Sequence, residues 1–150
     1  MEEERIVKNS IVIHAPAARV WETLTSPEKT RQYMFGCIPE TDWKPGSTLL
    51  WKGIFDGKEL TAVKGRIVEI EPGAYLSYTT IDPNQSMADI PENYLTVTYR
   101  LELRGGNTEL TVTQGDFGKV ADGAKRYEEV YQGGTGWNPI LLQIKQLAEK

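Results

Sequence analysis

The chain has one cysteine, Cys37, and one histidine, His14, among 150 residues. A lone cysteine excludes an internal disulfide and any cysteine-rich metal site. A lone histidine excludes a histidine-based metal cluster, and any catalytic triad would have to use His14. Lysine and arginine, 17 against 21 acidic residues for a formal net charge of −4, are scattered rather than gathered into runs. Nucleic acid and anionic membrane both require a positive field, so neither is an expected partner. No apolar run approaches the ~20 residues that a membrane helix needs. The opening, Met1-Glu2-Glu3-Glu4-Arg5, lacks the basic region and apolar core of a signal peptide. The expectation is a cytoplasmic protein without a cofactor or metal. There is no internal repeat, linker or low-complexity segment. Gly133-Gly134-Thr135-Gly136 is no phosphate loop, because it follows no strand and no lysine follows it. The whole chain, 1–150, suits one domain, large enough to bury about two-thirds of its unfolded surface without cross-links.

The strongest pattern present lies in the last thirty residues. Tyr127, Val130, Gly134, Trp137, Leu141, Ile144 and Ala148 recur three or four apart and make one apolar helical stripe. Gly133, Gly134 and Gly136 interrupt it, and Pro139 follows Trp137. A glycine costs a helix interior about 1 kcal/mol against alanine, and an interior proline about 3 kcal/mol. The spacing therefore predicts a helix that kinks or breaks near Gly133–Gly136 and restarts with Pro139 in its first turn. Small residues beside Trp137 are a place where the helix could stand off from a sheet. The alternative is a plain helix end, with Trp137 as ordinary core.

Before that helix the chain alternates with period two. Arg5 to Ile13 reads as a strand, and two short helices follow, the second opened by Ser26 as cap and Pro27 in the first turn. Residues 36–45 read as irregular. A meander follows: Thr48–Phe55, a turn at Asp56-Gly57, Glu59–Ile70, Ala74–Ile81, Tyr94–Arg104, and Thr108–Asp116 after Gly105-Gly106-Asn107. One-sided alternation needs a cover, and only the C-terminal helix is long enough to provide it. The expected architecture is α+β: a curved antiparallel sheet of about six strands around a long C-terminal helix, with two short helices after the first strand.

The run Ile13-His14-Ala15-Pro16-Ala17-Ala18-Arg19-Val20-Trp21, with Leu24-Thr25-Ser26-Pro27-Glu28 after it, resembles the opening of the START and birch-pollen-allergen-like (SRPBCC) superfamily. The branch it resembles most is named for the C-terminal domain of the heat-shock-protein-ninety ATPase activator. Pro45-Gly46, Asp56-Gly57, the series Gly65, Glu69, Pro72 and Leu76, then Gly106-Asn107-Thr108-Glu109-Leu110 and Gly136-Trp137 with Leu141 fall in the family's order. They span nearly the whole chain. The resemblance implies a helix-grip fold. It speaks less to function, since the superfamily holds lipid carriers, receptors, cyclases and co-chaperone domains. Tyr33-Met34, Thr80 and Pro139 depart from the branch's pattern at positions that would alter a cavity's lining.

Strand parity places Leu49, Trp51 and Phe55 on the sheet's inner face, then Leu76, Tyr78 and Thr80, then Val97 and Tyr99, then Leu110, Val112 and Gln114. The helix adds Tyr127, Tyr131 and Trp137. A ligand cavity between sheet and helix is expected to be lined by Trp51, Phe55, Tyr78, Thr80, Tyr99, Gln114, Tyr131 and Trp137. Met34, Phe35, Trp43 and Met87 would form its rim. Buried Gln, Thr and Tyr need hydrogen-bond partners. They either find them in one another or orient a small, mostly hydrophobic ligand, aromatic ones included. A protein-interaction module of the heat-shock ATPase activator type is the second reading, with a protein partner. A cyclase- or hydrolase-like enzyme is the third; it would rely on Tyr, Gln or a carboxylate such as Asp116, since no convergent acid–base pair stands out. Cys37 and His14 are weak nucleophile and base candidates, and the surface is the simpler place for His14.

Overall fold

A computed structural model describes residues 6–34, 36–84, 88–115, 117–120, 123–131 and 136–150. The described strands form one seven-stranded antiparallel sheet, in the order β1-β7-β6-β5-β4-β3-β2. They are β1 (Val7–Ile13), β2 (Ile38–Glu40), β3 (Thr48–Phe55), β4 (Lys58–Glu71), β5 (Tyr75–Thr80), β6 (Leu95–Arg104) and β7 (Asn107–Gly115). Helices α1 (Ala17–Thr25) and α2 (Pro27–Tyr33) follow β1, and α3 (Gly123–Tyr131) and α4 (Asn138–Glu149) close the chain. No described helix is long and apolar enough to cross a membrane.

Two of the turns rest on local chemistry. At β3–β4 both central residues have positive φ, Asp56 at 52° and Gly57 at 76°. That is the backbone of a two-residue hairpin whose twist matches the strands it joins. Gly105 and Gly106, at φ 60° and 93°, do the same for β6–β7. The sheet has seven strands rather than about six. The addition is β2, three residues on the sheet's edge, where Pro39 faces Trp51 in the register and its missing N–H is tolerated.

Parity assigns the inner face well. Val7, Ile13, Leu49, Trp51, Ile67, Leu76, Tyr78, Val97, Tyr99, Leu110 and Val112 are all buried. The long strand β4 breaks period two. Trp51 faces Val63 and Lys52 faces Thr61, so Ala62 is an extra residue on β4, a β-bulge. A second irregularity lies between Ile67 and Glu69.

Among the described residues the C-terminal stripe forms two helices. The first ends at Tyr131 and the second starts at Asn138, with Pro139 in its opening turn. Gly133 and Gly134 lie outside the described residues, but Gly136 has φ 46°, a left-handed backbone that ends helical phase. Leu141, Ile144, Leu147 and Ala148 of α4 are buried, whereas α3 has no buried residue. The expected single cover is thus divided: α4 packs on β1, α1 and α2, and α3 lies at the margin. Ser26 occupies the N-cap of α2 with Pro27 in the first turn, but its side chain makes no capping hydrogen bond.

The last turn of α4 is tied to the end of β1. Glu149 accepts a hydrogen bond from Lys145 Nζ and another from the His14 backbone N–H at 2.8 Å, and Lys145 also donates to the Val12 carbonyl at 3.0 Å. His14 itself is exposed. The lysine bond first, and then the His14 N–H, hold the Glu149 carboxyl below its ordinary value. A depressed carboxyl pKa contributes stability that is present above the unfolded value and is lost as pH falls through the folded one. In urea titrations repeated from neutral pH into the acid range below an ordinary glutamate, Glu149→Gln should therefore lose less stability than the parent chain. Equal acid sensitivity would show that the clasp is not part of the acid response.

Candidate functional site

The inner face carries a cavity of about 450 Å³, open on one side. Its level is set by the register, which aligns Gln114 with Val97 and Val97 with Tyr78 across β7, β6 and β5. Trp51 and Phe55 of β3, with Thr80 and Ile81 after Tyr78, extend the wall. The bulge turns two successive residues of β4, Ala62 and Val63, toward the same space. Trp137, just before α4, covers it from the opposite side, with Met34 and Cys37 at the end of α2. Arg126 of α3 and Asp82 after β5, both half-buried, add one charge of each sign.

Four rings run through the site in sequence. Trp51 to Tyr78 is 6.1 Å between centroids, Tyr78 to Tyr99 is 5.8 Å, and Tyr99 to Trp137 is 6.0 Å, the last edge-on. These separations suit attractive tilted and T-shaped aromatic pairs. The hydroxyls of Tyr78 and Tyr99 lie 3.0 Å apart. Burial pushes both phenols above their ordinary pKa, so both stay protonated at neutral pH. Beneath them Tyr33, also buried, donates its hydroxyl to the Leu24 carbonyl at 2.9 Å.

Trp137 is held by two bonds. Its backbone N–H donates to Asn9 Oδ1 at 2.9 Å, and its indole Nε1–H donates to Gln114 Oε1 at 2.9 Å. The first bond explains Gly136, since a Cβ there would stand 2.4 Å from Asn9 Oδ1. The second fixes Gln114. Its oxygen serves Trp137, while its amide nitrogen has no protein partner among the described residues.

Of the eight expected lining residues, the structure brings Trp51, Phe55, Tyr78, Thr80, Gln114 and Trp137 onto one cavity. Tyr99 is not on its surface: it is 1% exposed and sealed behind Tyr78. Tyr131 is a correction, 39% exposed and stacked on Tyr127 at 5.1 Å, because the break before α4 takes α3 out of the stripe's phase. Of the rim, Met34 is in place. Trp43 instead packs against the core with a left-handed backbone at φ 57°, and does not border the cavity. Phe35, Met87 and Asp116 lie outside the described residues. Pattern reading missed Cys37, Ala62, Val63, Asp82 and Arg126. Cys37 is buried, which raises its thiol pKa and weakens it as a nucleophile.

A second depression, about 500 Å³, lies at Thr48, Lys64, Arg66, Asp89 and Tyr94. It is more polar, and Lys64 and Tyr94 there are already engaged by Asp89. The cavity at Trp51 and Trp137 is the better candidate, being apolar with few polar groups.

Gln114→Leu tests how the cavity wall is built. It should cost about 1–3 kcal/mol in urea unfolding, because the Trp137 indole N–H loses its acceptor in a mostly buried setting. Adding Trp137→Phe should recover part of that loss. A single change that stabilises the fold would show that Gln114 serves only the cavity.

The family model described as Activator of Hsp90 ATPase homolog 1-like protein matches residues 14–149. A solution structure of a protein from Cytophaga hutchinsonii is 34% identical, with 99% of this chain and 97% of that one covered and a TM-score of 0.76. The Aha1 dimer from Colwellia psychrerythraea, at 17% identity, covers 96% of each chain with a TM-score of 0.65. An HSP90 activator from Plasmodium falciparum, also 17% identical, covers 95% of each with a TM-score of 0.66. These last two share the fold. No curated protein is similar enough to match. The match over residues 14–149 places the chain in the family of Activator of Hsp90 ATPase homolog 1-like proteins, with the sheet and helix arrangement of its solved relatives.

Proposed function

We propose that the protein binds a small, mostly apolar molecule, aromatic ones included, in the cavity between the sheet and Trp137. The observation that carries this reading is the cavity itself: about 450 Å³, walled by Trp51, Phe55, Leu95, Val97 and Trp137, with a small number of polar side chains among them. That is the composition of a ligand pocket rather than of a surface dimple. Acid–base catalysis fits less well. Burial keeps the phenol of Tyr78 protonated, and the cavity's thiol, Cys37, is shifted upward as well.

The test is native mass spectrometry of the protein isolated from its own host, beside a variant whose cavity is filled. Ala62 borders the cavity and is only half-buried, so Ala62→Trp can occupy the space from its margin. A small-molecule adduct on the parent chain, absent from Ala62→Trp, is the expected result. An adduct retained by Ala62→Trp would place the ligand elsewhere.

Family membership supports a second reading, association with a heat-shock ATPase, since structural neighbours include an HSP90 activator. Stimulation of that ATPase by the parent chain and equally by Ala62→Trp would favour it, because a protein-docking surface is indifferent to the filled cavity.

A further inference from the structure

We infer that the cavity selects a ligand carrying a neutral hydrogen-bond acceptor, a carbonyl oxygen of a ketone, ester or quinone, and that the Tyr78 hydroxyl donates to it. This deepens the binding reading above and rests on it.

Tyr78 and Tyr99 are both protonated, so two hydroxyl hydrogens are available, and the 3.0 Å bond between the two oxygens uses one of them. The other must find an acceptor or be stranded in a dry core, which is costly. Among the described residues neither hydroxyl has a further partner. The two rings differ in one respect. Tyr78 borders the cavity, and Tyr99 does not. Among the described residues the Tyr99 hydroxyl has no acceptor other than Tyr78, and its donation there leaves the Tyr78 hydrogen for the cavity's contents.

The neighbouring wall points the same way. Gln114 lies one strand beyond Val97 at the same level as Tyr78. Its oxygen already accepts from the Trp137 indole, which turns the amide so that its two N–H donors, with no partner among the described residues, are the groups it adds. Tyr78 and Gln114 are thus both donors, and a carbonyl oxygen, with two lone pairs, matches two donors. The charged groups, Asp82 and Arg126, are of opposite sign and half-buried, and each already holds a hydrogen bond, Asp82 from the Asn84 N–H and Arg126 to the Asn93 carbonyl. The positive charge of Arg126 on this cavity is matched by the negative charge of Asp82, so an anionic acceptor would lose its hydration there against no net counter-charge.

Calorimetry with three probes of one shape separates the possibilities: 2-acetylnaphthalene, its hydrocarbon counterpart 2-isopropylnaphthalene, and 2-naphthoate. The ketone should bind the parent chain about tenfold tighter than the hydrocarbon, the worth of one good hydrogen bond. Tyr99→Phe should keep that preference, since Tyr78 still faces the cavity. The double variant Tyr78→Phe/Tyr99→Phe leaves no stranded hydroxyl and keeps the ring shapes, and in it the preference should fall at least threefold. A ketone no better than the hydrocarbon, or a preference undiminished in the double variant, overturns the inference while the cavity remains a binding site. Naphthoate binding tighter than the ketone overturns the neutral acceptor. If none of the three binds, the binding reading falls and takes this inference with it.

Discussion

Replacing Trp137 with alanine is expected to lower the unfolding free energy by about 3–5 kcal/mol, the range for removing a buried tryptophan. The indole is 7% exposed, packs edge-on against Tyr99 at 6.0 Å, and donates to Gln114. Its loss removes apolar contact, leaves the Gln114 oxygen without its donor, and extends the cavity toward Tyr99. Unfolding in urea, followed by far-ultraviolet circular dichroism so that the missing fluorophore does not matter, gives the number. A loss below about 1 kcal/mol would mean that neighbouring side chains close the space, contrary to partial relaxation around deleted core groups. The same variant should accept bulkier apolar ligands, provided that enough folded protein survives to be titrated.

Gly65→Ala should be as damaging for a different reason. A Cβ at Gly65 would sit 1.6 Å from the Thr79 carbonyl oxygen and 2.4 Å from its carbon. Overpacking by a methyl group typically costs about 1–3 kcal/mol. Here the obstacle is backbone, held by the paired bonds between Lys64 and Ile81 at 2.9 and 2.8 Å, so a loss of about 3 kcal/mol or more is expected. Gly73→Ala is the control. Gly73 has φ 82° with nothing within 4 Å of its would-be Cβ, and should cost only the roughly 1–2 kcal/mol of a left-handed backbone. Thermal melts in which the two variants lose the same amount would show that β4 and β5 separate easily at this point.

The inner face was legible from the sequence because antiparallel alternation repeats every second residue, and Leu76, Tyr78, Val97 and Tyr99 keep to it without interruption. Parity names a face but not a depth, which is why Tyr99 was expected at the cavity and is found behind it. The bulge at Ala62 was not legible. An extra residue leaves the composition of β4 unchanged and alters only which side chains turn inward. Strand β2 escaped notice because three residues containing Pro39 carry no period. The break in the C-terminal stripe was readable from glycine and proline propensity, but its consequence for Tyr131 was not: once helical phase is lost at Gly136, residues on either side no longer share a face. Asp82 and Arg126 reach the cavity through tertiary placement, and nothing local marks them.

The row of rings from Trp51 through Tyr78 and Tyr99 to Trp137 also has an optical consequence. Chromophores fixed at about 6 Å with defined tilts of 48°, 57° and 81° form a coupled, chiral array. Tyrosine excitation in such an array passes to the flanking indoles, so the folded chain should emit as tryptophan even when its tyrosines absorb. Near-ultraviolet circular dichroism should be intense and should vanish on unfolding, as tyrosine emission appears. A guest settling against Trp51 and Trp137 perturbs both ends of the array at once. The native protein therefore carries its own spectroscopic reporter of occupancy, with no label attached.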